Sequence, residues 1–408
     1  MMVDSQRVSL GIGTTGVTLA VYRGKDGLGA LPVLWSQLVE ALPAKRFFHL
    51  HAWYKSYLES LEVEPSSVFF YVLFRGERPV ALFPLKSATR NICRLGFRSL
   101  ELPVHDHLNL SDFVFDRTEE NAGLLRLLVQ HLQQSSETPW DVMYLSNALE
   151  DSAAAYALEK AVPPMALSYY QRKSNYVDCA MSYEDFLKNV DGHFRRNLGR
   201  LTRRVQQMGE LQFHSYRSPD DIRSNFDHFV TVEAAGWKGD SGTQSAIACN
   251  PPIRSFYEKL IDGYAAAGQC WLNLLSLNEK AIAGQLCLLV DGTLYILKIG
   301  YDEAYSKVAP GNLIMDQTLR LAVEDQGVRA VSFITDRPWN YFWGAKSYLV
   351  YDHFIFNRSS FRGWYGYLCL RLKDLARPLW QRLRSARGGN KVPPASSAHE
   401  KNVTNKEP

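Results

Sequence analysis

Asp291-Gly292 separates two apolar, β-branched-rich runs, residues 282–290 and 293–300. A type I′ turn needs positive φ at both central positions, and Asp-Gly tolerates it, so this pair joins two antiparallel strands. The turn also sets a register: Val290 opposite Thr293, Leu288 opposite Tyr295, Cys287 opposite Ile296, and Gln285 opposite Lys298. Side-chain alternation then predicts Gln285 and Lys298 side by side at the open end of an apolar face. A helix follows from Asn312, with Leu313, Ile314, Met315, Leu319 and Ala322 on its apolar side and Gly327 closing it. Only Asn312 is a candidate cap. A helix start left uncapped carries unpaired N–H groups and about half a positive charge, so this one is either an anion site or the opening of an ordinary packing helix.

The order around this hairpin is helices, hairpin, helix, strand, and it occurs twice. In the first half, helical patterns over 34–42 and 50–61 precede a hairpin over 68–86 across Arg75-Gly76-Glu77-Arg78; a helix over 119–134 and a strand over 141–146 follow. The expected fold class is α/β with mixed sheets, built from two copies of one unit. The expected organisation is a Gly-rich leader over 1–30, a first domain over 31–165, a second over 176–358, a basic amphipathic helix over 360–387 and a disordered tail over 388–408. Gly11-Ile12-Gly13-Thr14-Thr15-Gly16 matches GxGxxG, but a strand-like run follows it where a dinucleotide site needs a helix. Pro163-Pro164 and the polar run 171–175 mark the passage between domains.

Composition removes several classes of function. A chain of 408 residues with 46% hydrophobic residues builds large cores, and a net charge of +4 is too small a surplus to argue for DNA. Six scattered cysteines without a CxxC read as reduced thiols. With no apolar run of about 18–20 residues and no secretory signal pattern, the expected location is cytoplasmic, with peripheral contact at the inner membrane face through 362–391. That segment holds eight basic residues and one acid, interleaved with Trp364, Tyr365, Leu368 and Leu372. It suits an anionic membrane surface or docking on its own domain.

Three features carry chemistry. Ile222, Phe226, Phe229, Val230, Glu233 and Trp237 form one helical stripe, so Glu233 stands where the period calls for an apolar residue. A carboxylate there acts as a base for an ammonium group, or it pairs with Lys238 or a loop amide. Arg195, Arg196, Arg200, Arg203 and Arg204 lie between the apolar positions of another helix; they grip phosphates or form a solvated face. His105-Asp106-His107 puts two imidazoles on one side of an extended strand, too few for a metal site without a third ligand, so they read as surface, hydrogen-bonded or groove-wall side chains.

Glu233-Ala-Ala-Gly-Trp-Lys-Gly, Gly242-Thr-Gln-Ser-Ala-Ile, Lys298-Ile-Gly-Tyr-Asp-Glu and Ala309-Pro-Gly-Asn-Leu, after Phe194-Arg-Arg-Asn-Leu, resemble in that order the GNAT-superfamily acyltransferases of the CelD-like group associated with cellulose and exopolysaccharide biosynthesis. The tandem arrangement resembles the FemABX branch. The resemblance implies two tandem GNAT-like units, the second more complete, with acyl-CoA (most simply acetyl-CoA) as co-substrate, no metal, and a small-molecule or glycan amine as acceptor. It implies Glu233, Tyr301, Lys298 and Asp336 as the catalytic set; Ala309, Gly311, Asn312 and Leu313 around the pyrophosphate; and Gln285, Trp237, Lys238 and Trp343 around the acceptor. The sequence departs from the family in two places. Lys307-Val-Ala-Pro-Gly-Asn replaces the usual phosphate loop, and Trp339 and Asn340 replace the Tyr and Lys of Asp-x-x-Tyr-Lys-x-x-Trp-Gly. Two alternatives stay open: a FemABX-like transferase using aminoacyl-tRNA, from the arginine helix over 195–204 and the altered phosphate loop, and a non-catalytic accessory subunit of a membrane polysaccharide synthase, docking by residues 362–391.

Overall fold

The computed structural model describes residues 8–10, 16–103, 105, 107, 110–116, 118–161, 165–236, 238–239 and 242–386. Runs rich in β-branched and aromatic residues form strands, and amphipathic runs between them form helices. The first half holds β1 (Val8–Ser9), β2 (Val17–Arg23), α1 (Gly24–Gly29), α2 (Pro32–Glu40), α3 (His51–Ser60), β3 (Val68–Arg75), β4 (Arg78–Ile92), β5 (Leu95–Glu101), β6 (Val114–Phe115), α4 (Asn121–Gln134), β7 (Val142–Leu149) and α5 (Ala153–Ala161). The second holds β8 (Ala166–Asp178), α6 (Tyr183–Asn189), α7 (Gly192–Gln206), β9 (Leu211–Tyr216), α8 (Pro219–Ala234), α9 (Pro251–Ala265), β10 (Cys270–Leu277), β11 (Lys280–Val290), β12 (Thr293–Tyr301), α10 (Pro310–Glu324), β13 (Ala330–Ser332), β14 (Lys346–Phe356) and α11 (Phe361–Ala386).

All strands join one mixed sheet in the order β1-β2-β3-β4-β5-β7-β14-β8-β13-β12-β11-β10-β9, with β6 beside β4. The order reads as two like units meeting at β14 and β8. In the first, β2 to β5 are antiparallel neighbours and β5 runs parallel to β7. In the second, β9 to β12 are antiparallel and β12 runs parallel to β13. The units exchange their last strands: β8 crosses to pair with β13, and β14 returns to pair with β7. The two exchanged strands are hydrogen-bonded to each other from Lys346↔Tyr176 to Ile355↔Ala166.

Two sequence expectations change here. Val17–Arg23, assigned to a leader, is a strand of the first unit, paired with β3 from Val17↔Arg75 to Arg23↔Phe69; residues 11–15 of the GxGxxG motif lie outside the described residues. The polar run 171–175, assigned to a domain passage, is the middle of β8. This stretch is held by its ladder to β14, so it tolerates polar side chains that find partners: the buried Asn175 amide shares a 2.9 Å hydrogen bond with the Ser347 hydroxyl.

On one side of the sheet, α2, α3, α8 and α9 share a single apolar core with both units, and α3 packs directly on α9. On the other side, α4 and α5 cover the first unit, while α6, α7 and α10 cover the second.

Candidate functional site

The predicted hairpin forms, and its register holds from Val290↔Thr293 to Cys287↔Ile296. A bulge then intervenes: Leu286 pairs with Lys298 and Gln285 with Ile299. One extra residue turns every later side chain to the opposite face. The expectation of Gln285 beside Lys298 is therefore corrected. Gln285 faces α10, wholly buried, where it accepts from the Thr318 hydroxyl at 2.7 Å, and Asn273 donates to the same hydroxyl at 3.0 Å. Lys298 faces α8 and α9, its Nζ 5.8 Å from the centre of the Tyr257 ring.

Paired glycines bring α8 down onto this hairpin. Gly284 lies opposite Gly300; a Cβ on Gly300 would stand 2.6 Å from the Glu233 Cα, and one on Gly284 2.6 Å from the Phe229 ring. The last turn of α8 thus rests on β12 and delivers Glu233, whose side chain is fully buried. Its Oε1 accepts from the Lys238 ammonium at 3.2 Å and its Oε2 from the Ile247 amide at 2.9 Å. Lys238 also donates to the Ile299 carbonyl at 3.1 Å. The carboxylate is both ion-paired and hydrogen-bonded, which is the condition for holding a charge inside a protein.

Around this pair lies a set of groups whose charge states are displaced. Burial first, then the Lys238 charge, lower the Lys298 ammonium from its usual range to about 8, with Glu233 opposing the shift. Burial first, then the Glu233 charge, push the Tyr257 phenol upward. The Tyr257 hydroxyl shares a 2.9 Å hydrogen bond with His107 Nδ1. His107 falls to about 3, through burial and then the charges of Lys298, His105 and Lys238. Near neutrality His107 and Tyr257 are uncharged, and Lys298 is the group that titrates. The first unit thus contributes to the site through the loop after β5, where the His107 amide donates to His105 Nδ1 at 3.2 Å.

Beyond the bulge the sheet opens. β12 and β13 pair over three residues only, Thr293↔Ala330 to Tyr295↔Ser332. After that β12 continues beside β11, while the Phe333 amide turns to the Asn175 carbonyl at 2.9 Å. The mouth of this wedge is next to the start of α10. Ala309 adopts the left-handed conformation (φ +49°), Pro310 opens the helix, and no side chain caps it. Pro310 brings no N–H, and the Ala309 amide donates to the Ser306 carbonyl at 3.0 Å, so among the described residues the Gly311 amide is the opening donor that meets no carbonyl. Tyr301 is exposed at the end of β12 with its ring against Gly311, where a Cβ would stand 3.4 Å from it. Asn312 and Leu313 complete the first turn, their amides directed to the Ala309 carbonyl at 3.0 and 3.3 Å. The arginine-bearing α7 packs against both α10 and the turn Glu303–Val308 that precedes it. Arg195, Arg196, Arg200, Arg203 and Arg204 are exposed, and among the described residues none pairs with a carboxylate.

The remaining expected residues lie elsewhere. Trp343 is core, its ring edge-on to Phe194 at 4.8 Å between centroids. Asp336 accepts from the Tyr341 hydroxyl at 2.8 Å in the loop after β13. Trp237 lies outside the described residues. Tyr257 was not foreseen: it sits within the apolar stripe of α9, and nothing in its neighbours announces contact with a loop 150 positions away. Among the described residues there is no group of three or more His, Cys, Asp or Glu side chains arranged for a metal, and no helix long and apolar enough to cross a membrane.

Residues 192–345 match the acetyltransferase (GNAT) domain. No curated protein matches the sequence. Among solved structures, the chain is similar to FemX, with 12% identity and a TM-score of 0.53 over 79% of this chain and 95% of that one, a likeness of fold. It is also similar to the C-terminal domain of a putative lysylphosphatidylglycerol synthetase from Agrobacterium fabrum (11% identity, TM-score 0.49, covering 86% and 97%) and to a tandem GNAT protein from the clavulanic acid biosynthesis pathway (11%, 0.43, 82% and 98%).

Proposed function

We propose that this chain, an acyltransferase with an acetyltransferase (GNAT) domain over 192–345, transfers an acyl group, most simply acetyl, from acyl-CoA to an amine at the Glu233 site. The observation that carries this reading is a buried carboxylate beside a lysine lowered to about 8, next to a wedge in the sheet and an uncapped helix start. The start of α10 at Ala309, Gly311, Asn312 and Leu313 receives the donor's pyrophosphate through the Gly311 amide and the positive end of the helix dipole, with the arginines of α7 nearby for its further phosphate. The unpaired edge of β12 beyond Tyr295 offers main-chain groups to the extended arm of the donor. The acceptor enters as an ammonium and gives a proton to Glu233, directly or through water. The free amine attacks the thioester carbon, a C–N bond forms, and main-chain amides at the strand edge stabilise the oxyanion. Collapse breaks the C–S bond, Tyr301 protonates the departing thiolate, and the proton released from the amide nitrogen returns through water to the Tyr301 phenolate. Lys298 and Lys238 set the field around the acceptor; a positively charged Lys298 repels an ammonium, so the neutral form admits it.

The resemblance to the CelD-like group supports an amino sugar or a surface-polysaccharide precursor as the acceptor. The test is Glu233→Gln, which keeps an oxygen for the Ile247 amide but removes the base. Turnover should collapse while thermal stabilisation by acyl-CoA persists. Turnover equal to wild type would take Glu233 out of the mechanism.

A second reading rests on the exposed arginine face of α7 and the likeness of fold to FemX: transfer of an aminoacyl group from charged tRNA. Salt-dependent binding of charged tRNA, with no thermal response to any CoA thioester, would select it.

A further inference from the structure

Helix α11 has two apolar sides, and only one is covered. Gly363 and Gly366 seat it against the first unit so closely that a Cβ on Gly366 would lie 2.8 Å from both the Phe356 and Phe97 rings. Tyr367 and Leu370 join that small core, and Asp374, the single acid of the helix, accepts from the Tyr169 hydroxyl at 2.8 Å. This packing uses the positions 363, 366, 367, 370 and 374, one face of the helix.

The opposite face carries Phe361, Trp364, Tyr365, Leu368, Leu372 and Leu375, spaced at three and four residues. All six are exposed, from 40% for Tyr365 to 88% for Phe361. The stripe is about 20 Å long at 1.5 Å per residue. Helical geometry puts Arg362 and Lys373 along one border and Arg371 along the other, and all three are exposed. The indole N–H of Trp364 is satisfied by the Arg358 carbonyl at 2.9 Å, which leaves its ring free to enter an apolar phase. A solvent-facing helix side has no need of such a row, because the covered face already anchors the helix.

We infer that this second face of α11 docks the protein on an anionic lipid bilayer, with Phe361 to Leu375 inserted at the headgroup boundary and Arg362, Arg371 and Lys373 on lipid phosphates. The charge pattern decides the occupant. Both borders are basic, so pairing the stripe with a second copy would set positive against positive, whereas an anionic surface complements both borders at once. An aromatic-rich apolar stripe flanked by Arg and Lys is the composition that lies in a membrane interface.

The experiment uses the full chain and vesicles of phosphatidylglycerol and phosphatidylcholine in equal parts, with pure phosphatidylcholine for comparison. Flotation should show binding to the anionic vesicles, about tenfold weaker on the neutral ones and weakened again by salt. Leu368→Glu with Leu372→Glu should weaken it about a hundredfold, from the loss of two buried leucines and the gain of two acids. Both side chains are exposed, so the thermal midpoint should not move; Arg371→Glu with Lys373→Glu is the second variant, separating charge from apolar contact. Three results would each overturn the inference: no binding to anionic vesicles, binding that survives both double substitutions, or a dimer in solution that the leucine substitutions dissociate.

Discussion

The two units share a topology and differ in what they leave unsatisfied. In the first, Glu119, ahead of α4, is clamped by Arg75 and Arg78 at 2.9 and 2.8 Å; α4 itself starts at Asn121 and, like its counterpart α10, has neither a side-chain cap nor an acid in its first turn. In the second, α10 begins at Pro310 behind a left-handed Ala309. The hairpin ends also differ. Glu101 at the end of β5 is consumed by Arg90 at 2.8 Å and by Ser99 at 2.7 Å, while the end of β12 borders Glu233, Lys238 and Lys298. Both units pair these carboxylates, but in the second the pair lies beside the wedge where β12 and β13 part. The first unit nonetheless reaches the second through His107, which shares a hydrogen bond with Tyr257.

Four measurements break or sharpen this contrast. The largest effect belongs to Glu233→Gln, expected to lower kcat roughly a hundredfold to a thousandfold, whereas Glu101→Gln should change stability and spare turnover in the folded fraction. Next is Lys298→Met. Because Lys298 titrates near 8 in the folded protein, kcat/KM for an amine should rise through that pH, and the substitution should flatten the rise. The same group affects stability with a definite sign. Its folded value is depressed from 10.5 to about 8, so between these pH values the unfolded chain holds the extra proton and stability increases with pH. Lys298→Met should abolish that slope in pH-dependent melting.

Gln285→Leu comes third. It removes the acceptor of the buried Thr318 O–H, whose oxygen still accepts from Asn273, and should cost about 1–3 kcal/mol in denaturant unfolding, with KM for the acceptor unchanged; a selective rise in that KM would return Gln285 to the substrate site. The smallest effect tests the helix starts. Asn312→Asp places a negative charge in the first turn of α10 and should weaken acyl-CoA about fivefold by calorimetry, while Glu120→Gln at α4 should leave donor affinity as it was. Equal effects at both helices would remove the distinction between the units.

Much of this was legible in the sequence because each signal was local. Asp291-Gly292 specified its turn, Glu233 broke the period of its helix, and Pro310-Gly311 announced a helix without a cap. The bulge was hidden because Leu297 fits simple alternation as well as it fits a two-against-one register; packing of α8 on Gly300 decides between them. Tyr257 and His107 were hidden for a different reason: their meeting depends on how the units dock, and neither residue's neighbours encode it. The polar stretch within β8 misled because side-chain composition reports burial of faces, while β8 is fixed through its edges.

The exchange of β8 and β14 bears on how the chain is made. During synthesis β7 emerges with its neighbour on one side still unwritten, because β14 begins only at Lys346. Until then the first unit carries an open strand edge, a template for pairing with another chain. Completion of the amino-terminal sheet therefore waits on the synthesis of Lys346–Phe356. A nonsense mutation ahead of Lys346, well outside the first unit in sequence, removes a strand from it and leaves β8 with a bare edge as well.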